Sequence, residues 1–88
     1  MSYATSTIKS IQRGVLVLEA VATNTATISS VDTAKSFVTY GGTWMNYSIV
    51  GESLAHLVLT NSTTVTGTRF RSAASYQTQV SWQVIEYY

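Results

Sequence analysis

The fold is decided by the stretch QTQVSWQVIEY, residues 77–87. The apolar residues Val80, Trp82 and Val84 occur there at every second position, with Gln or Ser between them. Successive side chains of a strand point to opposite faces, so this alternation predicts a β-strand with one buried face and one solvated face.

The rest of the chain repeats the β pattern in short segments separated by turn residues. We predict strands at 8–13 and 15–21, with a bend or bulge permitted by Gly14 between them, at 25–28, at 36–40, and in a hairpin of 55–60 and 63–69. Gly41 and Gly42 are expected to end the strand at 36–40, and Val31 is expected to anchor a turn at 29–33. No window has an apolar stripe at helical spacing, so we expect almost no helix.

About seven short strands predict an all-β fold, either a single antiparallel β-sandwich, jelly-roll-like, or a small barrel. One domain is expected to span residues 1–88. The core predicted from these strands consists of Ile8, Ile11, Val15, Val17, Ile28, Val31, Phe37, Leu57, Leu59, Val65, Val80, Trp82 and Val84.

The composition points to assembly rather than to catalysis. Charged residues make up 10% of the 88 residues, and Cys is absent. A domain this small buries only about 60–65% of the surface of its unfolded chain, so small domains usually add disulfides, metals or oligomerisation. Disulfides are impossible here, and His56 with four scattered carboxylates predicts no metal site and no cofactor. We therefore expect oligomerisation to be the means by which this small domain gains stability.

Several functional classes are disfavoured by the sequence. A net charge of +1 argues against nucleic-acid binding, because each neutralised phosphate needs its own cation. The longest apolar run, residues 15–18, is far shorter than the roughly 20 residues that span a bilayer. The first residues lack a secretory signal, so we expect synthesis in the cytoplasm. Without a Gly-x-Ser-x-Gly motif or an acid near His56, we expect no enzymatic activity.

Four runs carry a family resemblance: IKSIQRG (8–14), ATISSVDT (26–33) with KSF (35–37), LTNSTTVT (59–66) and VSWQVIE (80–86). Their order and spacing resemble small β-structured domains of the structural proteins of tailed bacteriophages, whereas residues 42–53 do not match the pattern. Such domains occur as short free-standing virion proteins and as modules of head or tail fibres. The resemblance therefore implies a bacteriophage virion protein that is made in the host cytoplasm.

The sequence contains no second domain, fibre shaft or coiled-coil repeat, so a capsid decoration or cement protein fits better than a complete fibre. It would act by self-association, which we expect to give a homotrimer, and by contacts with the major capsid protein or other virion proteins. The alternative is a receptor- or glycan-binding module of the tail or fibre apparatus.

The candidate contact residues form three groups. Aromatic and Met residues in and beside segment 42–53 suit an oligomer or partner interface, packing within the subunit, or, with Asn46, a platform for a sugar ring; they are Tyr40, Trp44, Met45 and Tyr47. Arg69, Phe70 and Arg71 suit either a bidentate grip on carboxylates of a capsid protein or a solvated loop around one buried Phe. Tyr87 and Tyr88 are candidates for the trimer contact.

Overall fold

The computed structural model, which describes residues 7–45, 55–69 and 77–88, is a small β-sandwich of two antiparallel sheets. Sheet 1 has the strand order β1-β6-β3, and sheet 2 has the order β2-β5-β4. The six strands of the described residues are β1 (Ile8–Glu19), β2 (Thr23–Thr27), β3 (Ser36–Met45), β4 (His56–Asn61), β5 (Thr64–Thr68) and β6 (Gln77–Tyr87). The all-β sandwich is therefore confirmed, and the two sheets do not close into a barrel.

Strand β6 is the centre of sheet 1 and pairs with β1 on one side and β3 on the other. Its alternation is confirmed: Val80 and Val84 are fully buried, Trp82 is nearly so, and the residues between them lie on the outer face. These side chains meet residues of sheet 2 and of the connections in one cluster. The buried members are Leu16, Leu18, Ile28, Val31, Ala55, Val65, Val80, Trp82 and Val84.

Strand β1 buries the opposite set of side chains from the one that the sequence predicted. Leu16 pairs with Val80, so Leu16 and its same-face neighbour Leu18 enter the core. Alternate residues of a strand face opposite sides of the sheet, so an error of one position in the inward-facing set places every side chain on the wrong face. Three residues of β1 that the sequence placed in the core are consequently exposed on the outer face of sheet 1: Ile11, Val15 and Val17. Phe37 of β3, also predicted in the core, is exposed on the same face opposite Ile85.

The glycines act differently from the prediction. Strand β1 runs through Gly14 without a register shift, and the Trp82 ring occupies the space where a Cβ would lie. Gly41 and Gly42 do not end β3, which continues to Met45. Instead, the register with β6 shifts between Tyr40 and Gly42, and Gly42 has a φ of +131°, which favours glycine.

The segment between β2 and β3 is hydrogen-bonded to the turn of the β4–β5 hairpin. Backbone N–H groups of Ile28 and Val31 donate to the Thr63 and Ser62 carbonyl oxygens, each at 2.9 Å. Val31 is buried, as predicted for the turn anchor. Asp32 then caps a single 3₁₀ turn, Thr33–Lys35, by accepting from the backbone N–H of Ala34.

Candidate interaction surface

The outer face of sheet 1 carries several large apolar side chains that the described residues leave exposed. Cross-strand partners share one face of a sheet, so the register gives its layout in rows across β1, β6 and β3. The rows are (Ile11, Ile85, Phe37), (Arg13, Gln83, Thr39), (Val15, Ser81, Gly42) and (Val17, Gln79, Trp44). A charged residue occurs in only one of these four rows.

Aromatic and aliphatic side chains stand at both ends of this face. Trp44 is 52% exposed and Val15 is 56% exposed, although both are large apolar residues in regular strands. At the other end the Phe37 and Tyr87 rings stack with centroids 5.8 Å apart. Aromatic residues exposed in a cluster with aliphatic ones are typical of protein contact surfaces.

A groove of about 360 Å³ lies in the middle of the outer face. It is lined by Gly14 of β1, Ser81 of β6 and Gly41 of β3. The side-chain position of Gly14 faces the core, so the depression in the outer face comes from the small Ser81 side chain and from Gly41, which has none. Arg13 and Gln83 lie at the rim, where Arg13 Nε donates to Gln83 Oε1 at 3.1 Å. The groove therefore combines a floor of small residues with a guanidinium group at its edge.

The outer face of sheet 2 has a different chemistry. The pairing of β2 with β5 places Thr23 opposite Thr68, Thr25 opposite Thr66 and Thr27 opposite Thr64. Strand β4 adds Thr60, whose hydroxyl hydrogen-bonds that of Thr66, as well as Val58 and His56. A surface of hydroxyl groups is well solvated, so sheet 1 rather than sheet 2 carries the candidate interaction surface.

Arg69 does not lie where the sequence placed it. The residue is only 3% exposed, and its Nε and Nη1 donate to the Val21 carbonyl oxygen at 2.9 Å and to Thr78 Oγ1 at 3.2 Å. Its backbone N–H donates to the Ala22 carbonyl oxygen at 2.7 Å. Burial lowers the pKa of the guanidinium. Arg69 thus links the end of β5 to β6 and to the β1–β2 connection, and its prediction as a grip for a partner's carboxylates was wrong.

A second buried polar group, the Glu86 carboxylate, connects several elements by hydrogen bonds at the opposite end of β6. Glu86 is 5% exposed and accepts from Ser10 Oγ at 3.1 Å and from the backbone N–H of Asp32 at 2.9 Å. Lys9 Nζ lies 3.9 Å from Glu86 Oε2. The carboxylate therefore organises β1, β6 and the turn before β3, which is a structural role.

The other candidate contact residues are divided between the two sides of sheet 1. Tyr40 pairs with Trp82, whereas Trp44 pairs with Gln79, so the bulge between them leaves the two aromatic residues on opposite faces. Both are about half-exposed, Met45 is half-buried, and Tyr87 and Tyr88 are exposed. Tyr47, Phe70 and Arg71 lie outside the described residues. The predicted sugar platform is therefore not formed by Tyr40 and Trp44 together.

The described residues do not bring a cluster of metal-ligating side chains together. No group of three His, Cys, Asp or Glu residues comes together in residues 7–45, 55–69 and 77–88. His56 stands exposed on the outer face of sheet 2, opposite Thr68. The same residues contain no helix long and apolar enough to cross a membrane.

Comparison of the chain with protein families, with curated proteins and with solved structures gives no match.

Sequence reasoning missed the central part of the candidate surface. The sequence predicts no contact role for Arg13 or Ser81, and it predicts Gly14 and Gly41 only as a bend and a strand end. The signal that identifies them is their register, since Arg13 pairs with Gln83 and Val15 pairs with Ser81. That pairing becomes visible only when both strands are placed in one sheet.

Proposed function

We propose that this protein is a non-enzymatic structural protein of a tailed-bacteriophage virion, which self-associates as a trimer through the outer face of sheet 1 and decorates the capsid. The observation that carries the proposal is the exposure of Val15, Trp44 and their apolar neighbours on regular strands. The resemblance of four sequence runs to virion proteins gives the biological context. Burial of this face would add a second buried apolar layer to an 88-residue domain whose own core is thin.

The energy available from this face favours several contacts over a single one. Full burial of a large apolar side chain stabilises by about 1.5–3 kcal/mol, so one that is already half-buried gains about 1 kcal/mol. Six such side chains give about 6 kcal/mol per copy, which is comparable to the roughly 4–15 kcal/mol of freedom lost on association. They are Ile11, Val15, Val17, Phe37, Trp44 and Tyr87. Closure into a ring and repetition on a shell are therefore needed for tight binding.

The charge of the face is compatible with a neighbour of the same kind. Arg13 is the only charged residue in the four rows, and its side chain already donates to Gln83. Copies that approach through this face therefore bring little like charge together. The large single-sign potential that would steer the protein to nucleic acid is not present in a chain of net charge +1.

The first test measures self-association by sedimentation velocity of the full chain and of two charge variants. Val15→Lys places a charge in the middle of the proposed contact, and Thr25→Lys places the same charge on the outer face of sheet 2. We expect a concentration-dependent trimer for the original chain and for Thr25→Lys, and a monomer for Val15→Lys with an unchanged circular dichroism spectrum. A chain that stays monomeric at every concentration, or equal behaviour of the two variants, would overturn the proposal.

The second test addresses the virion. Purified protein is co-sedimented with intact capsid shells of the phage that encodes it and, in parallel, with whole host cells. Saturable binding to shells at a ratio fixed by the lattice supports decoration. Binding to cells but not to shells would replace it with the receptor-binding alternative, and binding to neither would remove both.

A further inference from the structure

The groove over Gly14, Gly41 and Ser81 has the size and chemistry of a receptor for one aromatic side chain. Its volume of about 360 Å³ exceeds that of a few water molecules, and its lining includes Val15 as an apolar wall. Ser81 of β6 and Gly41 of β3 leave the sheet surface low at this place. Such a depression in an otherwise apolar face is where an interface normally seats an anchor residue.

Arg13 favours an aromatic side chain over an aliphatic one as the occupant of the groove. Within the part of the chain that the structure describes, its Nε donates to Gln83, and the remaining guanidinium N–H groups stay available at the groove rim. A guanidinium beside an apolar pocket favours an aromatic ring, most of all an indole, through its contact with the π-face. An aliphatic side chain would fill the groove without using this group.

The face that contains the groove also presents a suitable side chain. Trp44 lies one row along from Ser81 and one strand across. Strand geometry separates the two positions by about 8 Å, since residues two apart along a strand differ by about 6.7 Å and neighbouring strands by about 4.8 Å. Side chains stand roughly perpendicular to a sheet, and Trp44 is not among the residues that line the groove of its own copy.

We infer that Trp44 of one copy inserts into the Gly14, Gly41 and Ser81 groove of a neighbouring copy and that Arg13 of the neighbour covers the indole ring. The inference rests on the proposed self-association and names its central contact. Knob and groove lie on the same face and are offset from each other, so each copy can give one Trp44 and receive another. In a cyclic assembly this exchange repeats at every interface and leaves no groove empty.

The experiment compares the dissociation constants of four proteins by sedimentation equilibrium. Trp44→Ala removes the knob, and Ser81→Leu fills the groove with an outward-facing side chain that touches no core residue. Thr25→Leu is the matched control, because it adds the same side chain to the outer face of sheet 2, away from the groove. We expect Trp44→Ala and Ser81→Leu each to raise the dissociation constant about 10- to 30-fold, and Thr25→Leu to leave it unchanged.

The double variant Trp44→Ala with Ser81→Leu separates one shared contact from two independent ones. If both substitutions remove the same contact, the double variant should have nearly the same dissociation constant as either single variant. If their effects are independent, the two increases in the dissociation constant should multiply. An original chain that associates while neither Trp44→Ala nor Ser81→Leu weakens it would overturn the inference and leave the proposed function standing. A chain that does not associate at all would remove the proposed function together with the inference.

Discussion

Replacement of Gly14 by Ala tests the packing between β1 and β6 at its tightest point. A Cβ at this position would lie 2.8 Å from Trp82 Cε2 and closer still to Cζ2, both of which belong to a rigid ring on the central strand. Overpacking of this kind typically destabilises by about 1–3 kcal/mol. We expect Gly14→Ala to lower the free energy of unfolding by about 2 kcal/mol in urea titrations at fixed protein concentration. The corresponding fall in Tm is about 8–16 °C for a domain of this size.

Gly67→Ala is the matched control for this prediction. Gly67 also faces the interior, but the nearest atoms to its added Cβ are the tips of flexible side chains, Leu16 Cδ1 at 3.1 Å and Leu57 Cδ2 at 3.6 Å. The tips can move, and Ala also reduces the entropy of the unfolded chain, so the free energy of unfolding should change by less than about 0.5 kcal/mol.

A double-mutant cycle identifies the clashing group itself. Trp82→Phe removes the part of the indole that meets Gly14, so in that background Gly14→Ala should lose at least about 1 kcal/mol less than in the original chain. Equal losses for Gly14→Ala and Gly67→Ala, or the same loss for Gly14→Ala with Phe at position 82, would refute the reasoning.

Three further predictions concern the sides of β1 and the two buried polar groups. Leu18→Ala should lower the free energy of unfolding by about 3 kcal/mol and Val17→Ala by less than about 1 kcal/mol, and the reverse order in urea titrations would contradict the inner position of Leu18. Arg69→Met should destabilise by about 2 kcal/mol, because the Val21 carbonyl oxygen and Thr78 Oγ1 lose the hydrogen bonds that they accept from the guanidinium. Unchanged thermal unfolding would contradict a structural role for these two hydrogen bonds. Glu86→Gln should destabilise by about 1–2 kcal/mol, since one amide group cannot replace two accepting oxygens; hydrogen exchange at the Asp32 N–H should then accelerate, and unaltered exchange would contradict this contact.

The sequence predicted those parts of the fold in which a single periodicity was present. Strand β6 alternates polar and apolar residues from Gln79 to Val84, so its extent and its buried face were both predicted correctly. Strand β1 contains apolar residues at four consecutive positions, 15–18, and period two does not choose between them. The choice is made by pairing with β6, which sets Leu16 opposite Val80. Pairing is a long-range property that a single segment does not carry.

The burial of Arg69 and the continuation of β3 through Gly41 and Gly42 were both predicted wrongly, because each depends on contacts with other parts of the chain. Arg69, in the run Thr68-Arg69-Phe70-Arg71, suggests a solvated loop, because an arginine side chain is rarely buried without partners. Its partners lie at Val21 and Thr78, one of them far away along the chain. The glycines at 41–42 indicate a break in local conformation, yet a bulge satisfies the same requirement while β3 continues.

The candidate surface was only partly accessible from composition. Trp44 was identified from its aromatic character, and the structure keeps it exposed. The aliphatic part of the surface, Val15 with its neighbours, was assigned to the core because an apolar strand residue is more often buried than exposed. The groove needs three strands side by side, so no local pattern predicts it.

The threonine pairs of sheet 2 have a consequence for how many copies can stand close together. Their hydroxyl groups do not titrate, and salt does not screen their hydrogen bonds to water, so this side of the molecule stays equally hydrated over a wide range of pH and ionic strength. A protein of net charge +1 has almost no electrostatic repulsion to keep copies apart. Its colloidal stability then depends on bound water rather than on charge, and a dense layer of copies can form without an energetic penalty that grows with each neighbour.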